Sequence, residues 1–440
     1  MTAYLNIGAG NPALPGFTSV HQLPEADLRH DVTQGLPFAD QSVAGIHCEN
    51  LLEFMTQGQG LLFLRECRRV LEPQAILRIA TPDLDAQLAA YLDGTLAVDG
   101  AEFSSASPAE ALNLHLRGAA RQWSYNAQEL ARAVTQAGLN NPLRRQPHDS
   151  AMAALAGQSA GADGQLIIEC SPWKPALDAA PLVSIVIPAY RARFFGAALD
   201  SALAQSYAHI EILVLDDSAN EEIEQIAAAR ADGRIRYLRN TPSLGENYSL
   251  TRGIREARGP LIKPLYDDDR LLPDCVARMV EAMRACPAAT LLMSRRYTIN
   301  AAGERTDVQR ISLINVSCEM NGLSVAALTL AIGANHLGPP PSLMFRRDDA
   351  LAISTPHVMT FAGKSINGAG DVAMCLNLLG RGDAIFLNEL LSEFRVHDDH
   401  TSSGAGVAAQ ARASFNYMRE HGQRMGLRPD DHSIKVKRLL

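Results

Sequence analysis

Apolar positions along the chain fall into short continuous runs that end in glycine, proline or an acid, separated by stretches of helical period. Such runs read as strands buried on both faces, as in a parallel sheet covered by helices. In the first half, Tyr4 to Gly10 is a strand entering a glycine turn, and Asp31 to Ser42 leads into the segment Gly45 to Phe54. Leu62 to Pro73 reads as a helix, Ala75 to Ala80 as a strand, Leu130 to Gly138 as a helix and Leu166 to Glu169 as a last strand. The pattern then lapses. Ser171 to Leu182 carries Pro172, Pro175 and Pro181 without apolar period, so residues 176–181 are expected to be a linker.

The pattern restarts at once. Val183 to Tyr190 is a strand, followed by a helix with Phe195, Leu199 and Leu203 on one face. Ile210 to Leu215 is a strand ending in Asp216-Asp217-Ser218, then come a helix (Glu221 to Arg230) and a strand (Ile235 to Leu238). Gly245 to Ile254 opens a further helix, and Leu261 to Leu265 is a strand that runs into Tyr266-Asp267-Asp268-Asp269, with a helix expected from Pro273. This alternation predicts an α/β fold with a parallel sheet and crossover helices. A helix from Val372 to Leu379 and another from Ala408 to Met425 follow, and the basic end Lys435 to Leu440 is expected to be solvated or packed on the domain.

Composition narrows the class. A chain of 440 residues, 47% apolar and 20% charged, is long enough for two or three domains. A net charge of -8 argues against a nucleic-acid partner. The seven cysteines are odd in number and scattered, without Cys-x-x-Cys, which points away from a disulfide framework or zinc site and toward a reducing cytoplasm. The longest apolar stretch, Leu323 to Ala334, is shorter than the ~20 residues a membrane helix needs, so at most peripheral membrane contact is expected.

The acids carry the candidate chemistry. In an open α/β sheet, ligands bind beyond the carboxyl ends of the strands. Asp267, Asp268 and Asp269 stand at one such end, where hard oxygen ligands would hold Mg²⁺ or Mn²⁺ against a diphosphate. They also suit a solvated turn capping the helix from Pro273. Asp216-Asp217-Ser218 stands at a second strand end and could equally cap a helix.

With these segments in view, residues 182–400 resemble glycosyltransferase family 2, of GT-A fold. The resemblance rests on Val183 to Tyr190, Leu213 to Ser218, Gly245 to Gly253, Leu261 to Pro273, Gly338 to Arg346, Gly370-Asp371 and Phe394 to His397. It implies that Pro188 and Tyr190 line a base pocket, that Asp217 accepts a hydrogen bond from a pyrimidine, and that Asn247 and Asp267 contact the nucleotide sugar. It implies a metal at Asp268, with Asp269 and His397 as further ligands, and Asp371 as catalytic base. Asp371 also suits the N-cap of its helix, His397 a structural role, and Gly338 to Ser342 either an acceptor cleft or a rigid proline loop. Two departures stand out: Tyr266 replaces the first acid of the cluster, and Gly370 replaces the acid before Asp371.

Residues 1–175 resemble the class I S-adenosylmethionine-dependent methyltransferases, on Tyr4 to Gly10, Asp31 to Phe54, Leu62 to Ala80, Trp123 to Tyr125, Leu130 to Gly138 and Leu166 to Glu169. The copy departs where that cofactor would bind. Val20-His21 stands where an acid would grip the ribose, Leu-Glu-Phe54 replaces Leu-Glu-His, and Pro73-Gln-Ala75 replaces Pro-Gly-Gly. Histidine offers no carboxylate pair of acceptors, which favours a degenerate, scaffolding or acceptor-handling module.

The expectation is therefore two Rossmann-like domains, residues 1–175 and 182–400, with a helical tail at 401–440. The resemblance implies an inverting, metal-dependent transferase using a nucleotide sugar (UDP- or dTDP-linked) and a glycan, lipid-linked or protein acceptor in bacterial surface polysaccharide synthesis. The alternatives are a bifunctional S-adenosylmethionine-dependent methyltransferase and glycosyltransferase, or a glycan-binding pseudoenzyme.

Overall fold

The computed structural model describes residues 3–8, 14–98, 105–158, 164–172, 174, 176–309, 315–397, 405–424, 427 and 436–439. The chain divides into two compact units, Met1–Lys174 and Pro175–Leu440. Parts of the expected glycine turn after β1 and of the basic end lie outside the described residues.

The first unit holds seven strands: β1 (Ala3–Ile7), β2 (Phe17–His21), β3 (Leu28–Arg29), β4 (Val43–Glu49), β5 (Leu71–Pro82), β6 (Asn140–Arg144) and β7 (Gln165–Ser171). Their order is β3-β2-β1-β4-β5-β7-β6. The first five are parallel, and β7 runs antiparallel to both its neighbours. The order reverses between β1 and β4, which is where an open α/β sheet forms its ligand crevice. Four helices accompany the sheet: α1 (Gln57–Val70), α2 (Leu84–Leu92), α3 (Pro108–Arg117) and α4 (Ala127–Gln136).

Sequence period placed α1 from Leu62 to Pro73, and both ends move. Thr56 and Gln59 form a reciprocal capping box that starts the helix earlier. At the other end, Leu71–Pro73 already belong to β5.

The second unit is built on an eleven-stranded sheet. Its strands are β8 (Val183–Ala189), β9 (Ile210–Asp216), β10 (Ile235–Arg239), β11 (Leu261–Pro264), β12 (Arg270–Leu271), β13 (Ala289–Ile299), β14 (Arg305–Gln309), β15 (Cys318–Met320), β16 (Leu343–Arg346), then, after a separate hairpin of β17 (Thr360–Phe361) and β18 (Lys364–Ser365), β19 (Asp383–Arg395) and β20 (Val436–Arg438). The main path runs β10-β9-β8-β11-β16-β13-β19-β15-β20. The expected β-α-β-α-β portion, β8 to β11, is parallel. Beyond it β16 is antiparallel to both neighbours, so the sheet is mixed.

Among the described residues eight helices accompany the sheet: α5 (Ala192–Leu203), α6 (Glu222–Ala228), α7 (Glu246–Glu256), α8 (Cys275–Ala285), α9 (Gly322–Ile332), α10 (Arg347–Ala352), α11 (Gly370–Leu379) and α12 (Ala405–Arg424). The side chains of β8 show why its sequence is apolar without interruption. Val183, Ile185 and Ile187 join one core with Phe195 and Leu199 of α5. Val186 joins the opposite core with Leu250 and Ile254 of α7. A strand covered on both faces has no side to give to water.

The basic end does more than lie on the surface: β20 adds an edge strand antiparallel to β15. Among the described residues no helix is long and apolar enough to cross a membrane. All seven cysteines are free and buried.

Within the first unit, Arg78 is completely buried on β5. Its Nη1 donates to Glu169 Oε1 at 2.9 Å and to the Asp149 carbonyl at 2.7 Å. Its Nη2 donates to the carbonyls of Gln146 and Pro147 at 3.1 and 2.8 Å. The guanidinium thereby fastens the loop after β6 to the sheet. Without Arg78, Glu169 keeps Arg145, Ser150 and the Ala151 amide, but the carbonyls of Gln146, Pro147 and Asp149 lose this donor, and a buried acceptor left unsatisfied costs about 1–3 kcal/mol. Arg78→Met is expected to lower urea stability by that amount, followed through Trp123 fluorescence; a loss below about 1 kcal/mol would show that these bonds are dispensable.

Candidate active site

Acids collect at the carboxyl ends of the second unit's strands, and each is held by donors from a distant segment. Asp217, just after β9, is buried with both oxygens occupied. Its Oδ1 accepts from Asn240 Nδ2 at 2.8 Å and the Leu244 amide at 2.7 Å, and its Oδ2 from Ser243 Oγ at 2.8 Å and the Gly245 amide at 2.7 Å. Burial alone would raise its pKa, but these four donors outweigh it and hold the carboxyl below its usual range. The loop into α7 is thus wrapped around one carboxylate. Asp217 caps no helix, since α6 begins at Glu222.

The three acids after β11 separate by role. Asp267 Oδ2 accepts the amides of Tyr190 and Arg191 at 2.7 and 2.8 Å, which pins the end of β8. Burial outweighs those amides and pushes its pKa up to about 6. Asp268 faces His397, with its Oδ2 3.3 Å from Nε2. Asp269 turns inward, 1% exposed, and accepts the Arg395 amide at 2.8 Å. The α8 helix starts at Cys275, with Asp274 as its N-cap residue, so the triplet does not cap it.

Asp371 lies in the first turn of α11. The N-cap residue is Ala369, so Asp371 is not the cap. Its Oδ2 accepts from Asn335 Nδ2 at 2.7 Å and its Oδ1 from the Val372 amide at 2.8 Å. Burial pushes its pKa up to about 6, and the charge of Glu246 adds to the rise. Glu246, first residue of α7, lies within electrostatic reach of both Asp268 and Asp371, with the Tyr266 hydroxyl beside it. The acid turn and the start of α11 thus both come within electrostatic reach of the Glu246 carboxylate.

Both sequence departures have structural causes. Tyr266 stands where an acid was expected, its hydroxyl buried and within electrostatic reach of Glu246. A Cβ on Gly370 would lie 2.6 Å from Met359 Sδ and 3.1 Å from Met359 Cβ, so packing leaves no room for a second acid there.

The loop from Gly338 to Ser342 is fixed by Lys263, a lysine wholly buried on β11. Its ammonium donates to the carbonyls of Pro341, Leu343 and Pro264 at 2.6, 3.0 and 3.1 Å. Burial depresses its pKa to about 8. The strand that delivers the acids is thereby tied to the proline loop. Gly338 has φ of 110°, and a Cβ there would lie 3.1 Å from the Ser342 Cβ.

Of the expected site residues, Asp268 and His397 lie side by side, and Asp268 and Asp371 each come within electrostatic reach of Glu246, a residue not expected at the site. Of the expected metal set, Asp268 and His397 lie 3.3 Å apart, and Asp269 is turned away from them. Asp269 is buried against the Arg395 amide, and no three metal-ligating side chains gather among the described residues. Pro188 is buried within β8, while the Tyr190 ring is exposed beyond it. Asn247 sits in the first turn of α7, where its carbonyl accepts from Thr251 Oγ1. Lys263, Arg296 and Asn335 escaped the sequence reading because an isolated polar residue in an apolar run carries no mark of its partners; Glu246 had a signal, an acid opening a helix after Gly245.

At the crevice of the first unit, His21 ends β2 and is largely buried, with its Nδ1 accepting the Leu23 amide at 3.3 Å. Two buried acids stand near the ends of β4 and β5. Glu49 accepts from Gln165 Nε2 at 2.7 Å, and Glu53 from Thr81 Oγ1 at 3.3 Å. Burial raises the Glu53 pKa.

Residues 184–352 match the family model described as glycosyl transferase family 2. An uncharacterized protein of Mycobacterium tuberculosis, MT1568, is 31% identical over 200 residues, 43% of this chain and 59% of its own length. An uncharacterized glycosyltransferase of Rickettsia typhi, RT0329, is 27% identical over 234 residues, 51% of this chain and 67% of its own. The succinoglycan biosynthesis protein ExoO of Rhizobium meliloti is 36% identical over 115 residues, 26% of this chain and 33% of its own. The chain thus spans only part of each of these relatives. Among solved structures, the mannosyltransferase PcManGT of Pyrobaculum calidifontis, in complex with GDP-Man and Mn²⁺, aligns at 17% identity and a TM-score of 0.42, covering 56% of this chain and 66% of its own.

Asp217→Asn replaces an acceptor with a donor that faces other donors. The expected cost is about 1–3 kcal/mol, with faster hydrogen exchange at the Leu244 and Gly245 amides. Unchanged exchange at both amides would show that the carboxylate does not hold the loop.

Proposed function

We propose that this chain, which carries a glycosyl transferase family 2 domain at residues 184–352, transfers a sugar from a nucleoside-diphosphate sugar to a glycan acceptor with inversion at the anomeric carbon. The observation that carries this reading is the Glu246 carboxylate within electrostatic reach of both Asp268 and Asp371, which supports placing these two acids about one substrate site. Asp268 suits the side of a leaving diphosphate and Asp371 that of an incoming hydroxyl.

Asp371 is the base. Inversion needs a carboxylate on the side opposite the leaving group, within hydrogen-bond reach of the acceptor hydroxyl. Asn335 and the Val372 amide fix its orientation. Its raised pKa makes it a better proton acceptor than a solvated aspartate while leaving it ionised near neutral pH. As the acceptor oxygen bonds to the anomeric carbon, its proton passes to Asp371. The bond from that carbon to the diphosphate oxygen breaks, and the nucleoside diphosphate leaves.

Asp268 and His397, 3.3 Å apart, fit a Mn²⁺ or Mg²⁺ whose other ligands are phosphate oxygens and water, since such ions are often held by few protein groups plus the substrate. The ion, when bound, supplies positive charge against the departing diphosphate. Asp267 binds the nucleotide sugar indirectly, by holding the amides of Tyr190 and Arg191 at the mouth of the base pocket. The exposed Tyr190 ring offers a face for the base. The likeness to a succinoglycan biosynthesis protein supports a role in bacterial polysaccharide synthesis.

The first unit serves as a scaffold or acceptor-handling module. Its order reversal between β1 and β4 supports a nucleotide-binding ancestry, and His21, turned onto its own backbone, supports loss of the ribose grip. Titration with S-adenosylmethionine is expected to give no saturable heat; micromolar binding would favour a bifunctional enzyme instead.

Asp371→Asn is expected to lower nucleoside diphosphate release by about 10²–10⁴-fold while leaving donor binding intact. In the unmodified protein, kcat/KM should rise with pH and level off above about 6, because the base works only once ionised. An Asn variant of full activity, or a rate that falls as pH rises toward 6, would remove Asp371 from the mechanism. A protein that binds donors but never turns over would be the glycan-binding pseudoenzyme.

A further inference from the structure

Among the described residues, one buried cation near Asp269 and Asp371 donates no hydrogen bond to a protein group. Arg296, on β13, is 8% exposed. Its guanidinium lies over the Phe394 ring, 5.5 Å from the centroid, with Nη1 3.6 Å from the Cβ position of Gly338. The charges of Asp269 and Asp371 both act on it. Yet no hydrogen bond joins it to either acid among the described residues: Asp269 accepts from Arg395, and Asp371 from Asn335 and Val372. Its Nε is sealed from water without an acceptor, and nearby the wholly buried Ser342 Oγ is also unpartnered.

A buried guanidinium whose purpose was to offset the two acids would pair with them. A guanidinium fork whose Nε is desolvated without an acceptor, and whose two Nη groups donate to no protein group among the described residues, is costly unless a ligand completes it. The fork matches a carboxylate in two-point contact, a geometry an ammonium does not reproduce. The location selects among anions. Arg296 answers to Asp269 and Asp371, and it touches the Gly338 loop on the acceptor side, whereas the diphosphate belongs at Asp268 and His397.

Resting on the glycosyl-transfer reading above, we propose that Arg296 forms a specificity subsite for a sugar carboxylate, carried by a hexuronic acid that is either the transferred unit or the acceptor terminus. Ser342 Oγ would share the same group. The chain would then act on acidic rather than neutral polysaccharide, downstream of the oxidation that converts a hexose C6 hydroxyl to a carboxylate.

The test is release of nucleoside diphosphate with Mn²⁺, comparing UDP-glucose with UDP-glucuronate as donors, and neutral with glucuronate-terminated oligosaccharides as acceptors. The expected result is a preference of about tenfold or more in kcat/KM for the charged partner on one of the two arms, which identifies the source of the carboxylate. Arg296→Met should reduce that ratio to near one through KM, with Arg296→Lys falling between, in proteins whose melting curves match the parent. Equal or better turnover of neutral partners on both arms, or a preference that survives Arg296→Met, would overturn the subsite while leaving glycosyl transfer intact. Absence of release with every donor would overturn the transfer reading and this inference with it.

Discussion

Carboxylates taken out of water need donors, and that requirement organises the second unit. Asp217 gathers the Asn240–Gly245 loop, Asp267 the end of β8, Asp269 the end of β19 and Asp371 the Asn335 turn. Each clamp joins segments far apart in sequence. A charge-assisted hydrogen bond of this kind contributes about 1.5–3 kcal/mol, enough for several together to fix a cleft rim that would otherwise be loose loops. The same burial that demands donors raises the affinity of Asp267 and Asp371 for protons, so structural restraint and chemical poise have one origin.

Countercharges complete the arrangement. Lys263 places its ammonium among three carbonyls, tying the acid-bearing strand to the proline loop. Arg395 reaches under the acid turn, with Nε donating to the Asp268 carbonyl at 2.7 Å and Nη1 to the Asn300 carbonyl at 2.9 Å, while its guanidinium lies on the Phe194 ring. Phe194 also meets the His397 ring, which restrains that imidazole beside Asp268. Rotation of any of these groups would spoil the spacing between the acid wall and Asp371, and orientation is what a displacement reaction requires.

Local pattern made much of this legible. The uninterrupted apolar run of β8 announced a strand covered on both faces, and the acids expected at the ends of β9 and β11 stand there. What escaped was non-local. Nothing around Lys263 indicates that two of its three acceptors lie beyond residue 340, and nothing around Asp269 indicates an amide from residue 395. Three adjacent acids look equivalent in sequence, yet the turn after β11 points each in a different direction. Gly370 read as a missing acid until the Met359 side chain filled its space. The ends of α1 shifted because a capping box outweighed the apolar period.

The account depends on the strand-end acids binding a nucleoside diphosphate together with a divalent ion. Isothermal titration of UDP measures that directly, with Mn²⁺, with EDTA, and with Asp268→Asn. It predicts a saturable heat with Mn²⁺ that disappears in EDTA and in the variant. Equal heats under all three conditions, or none in any, would contradict it.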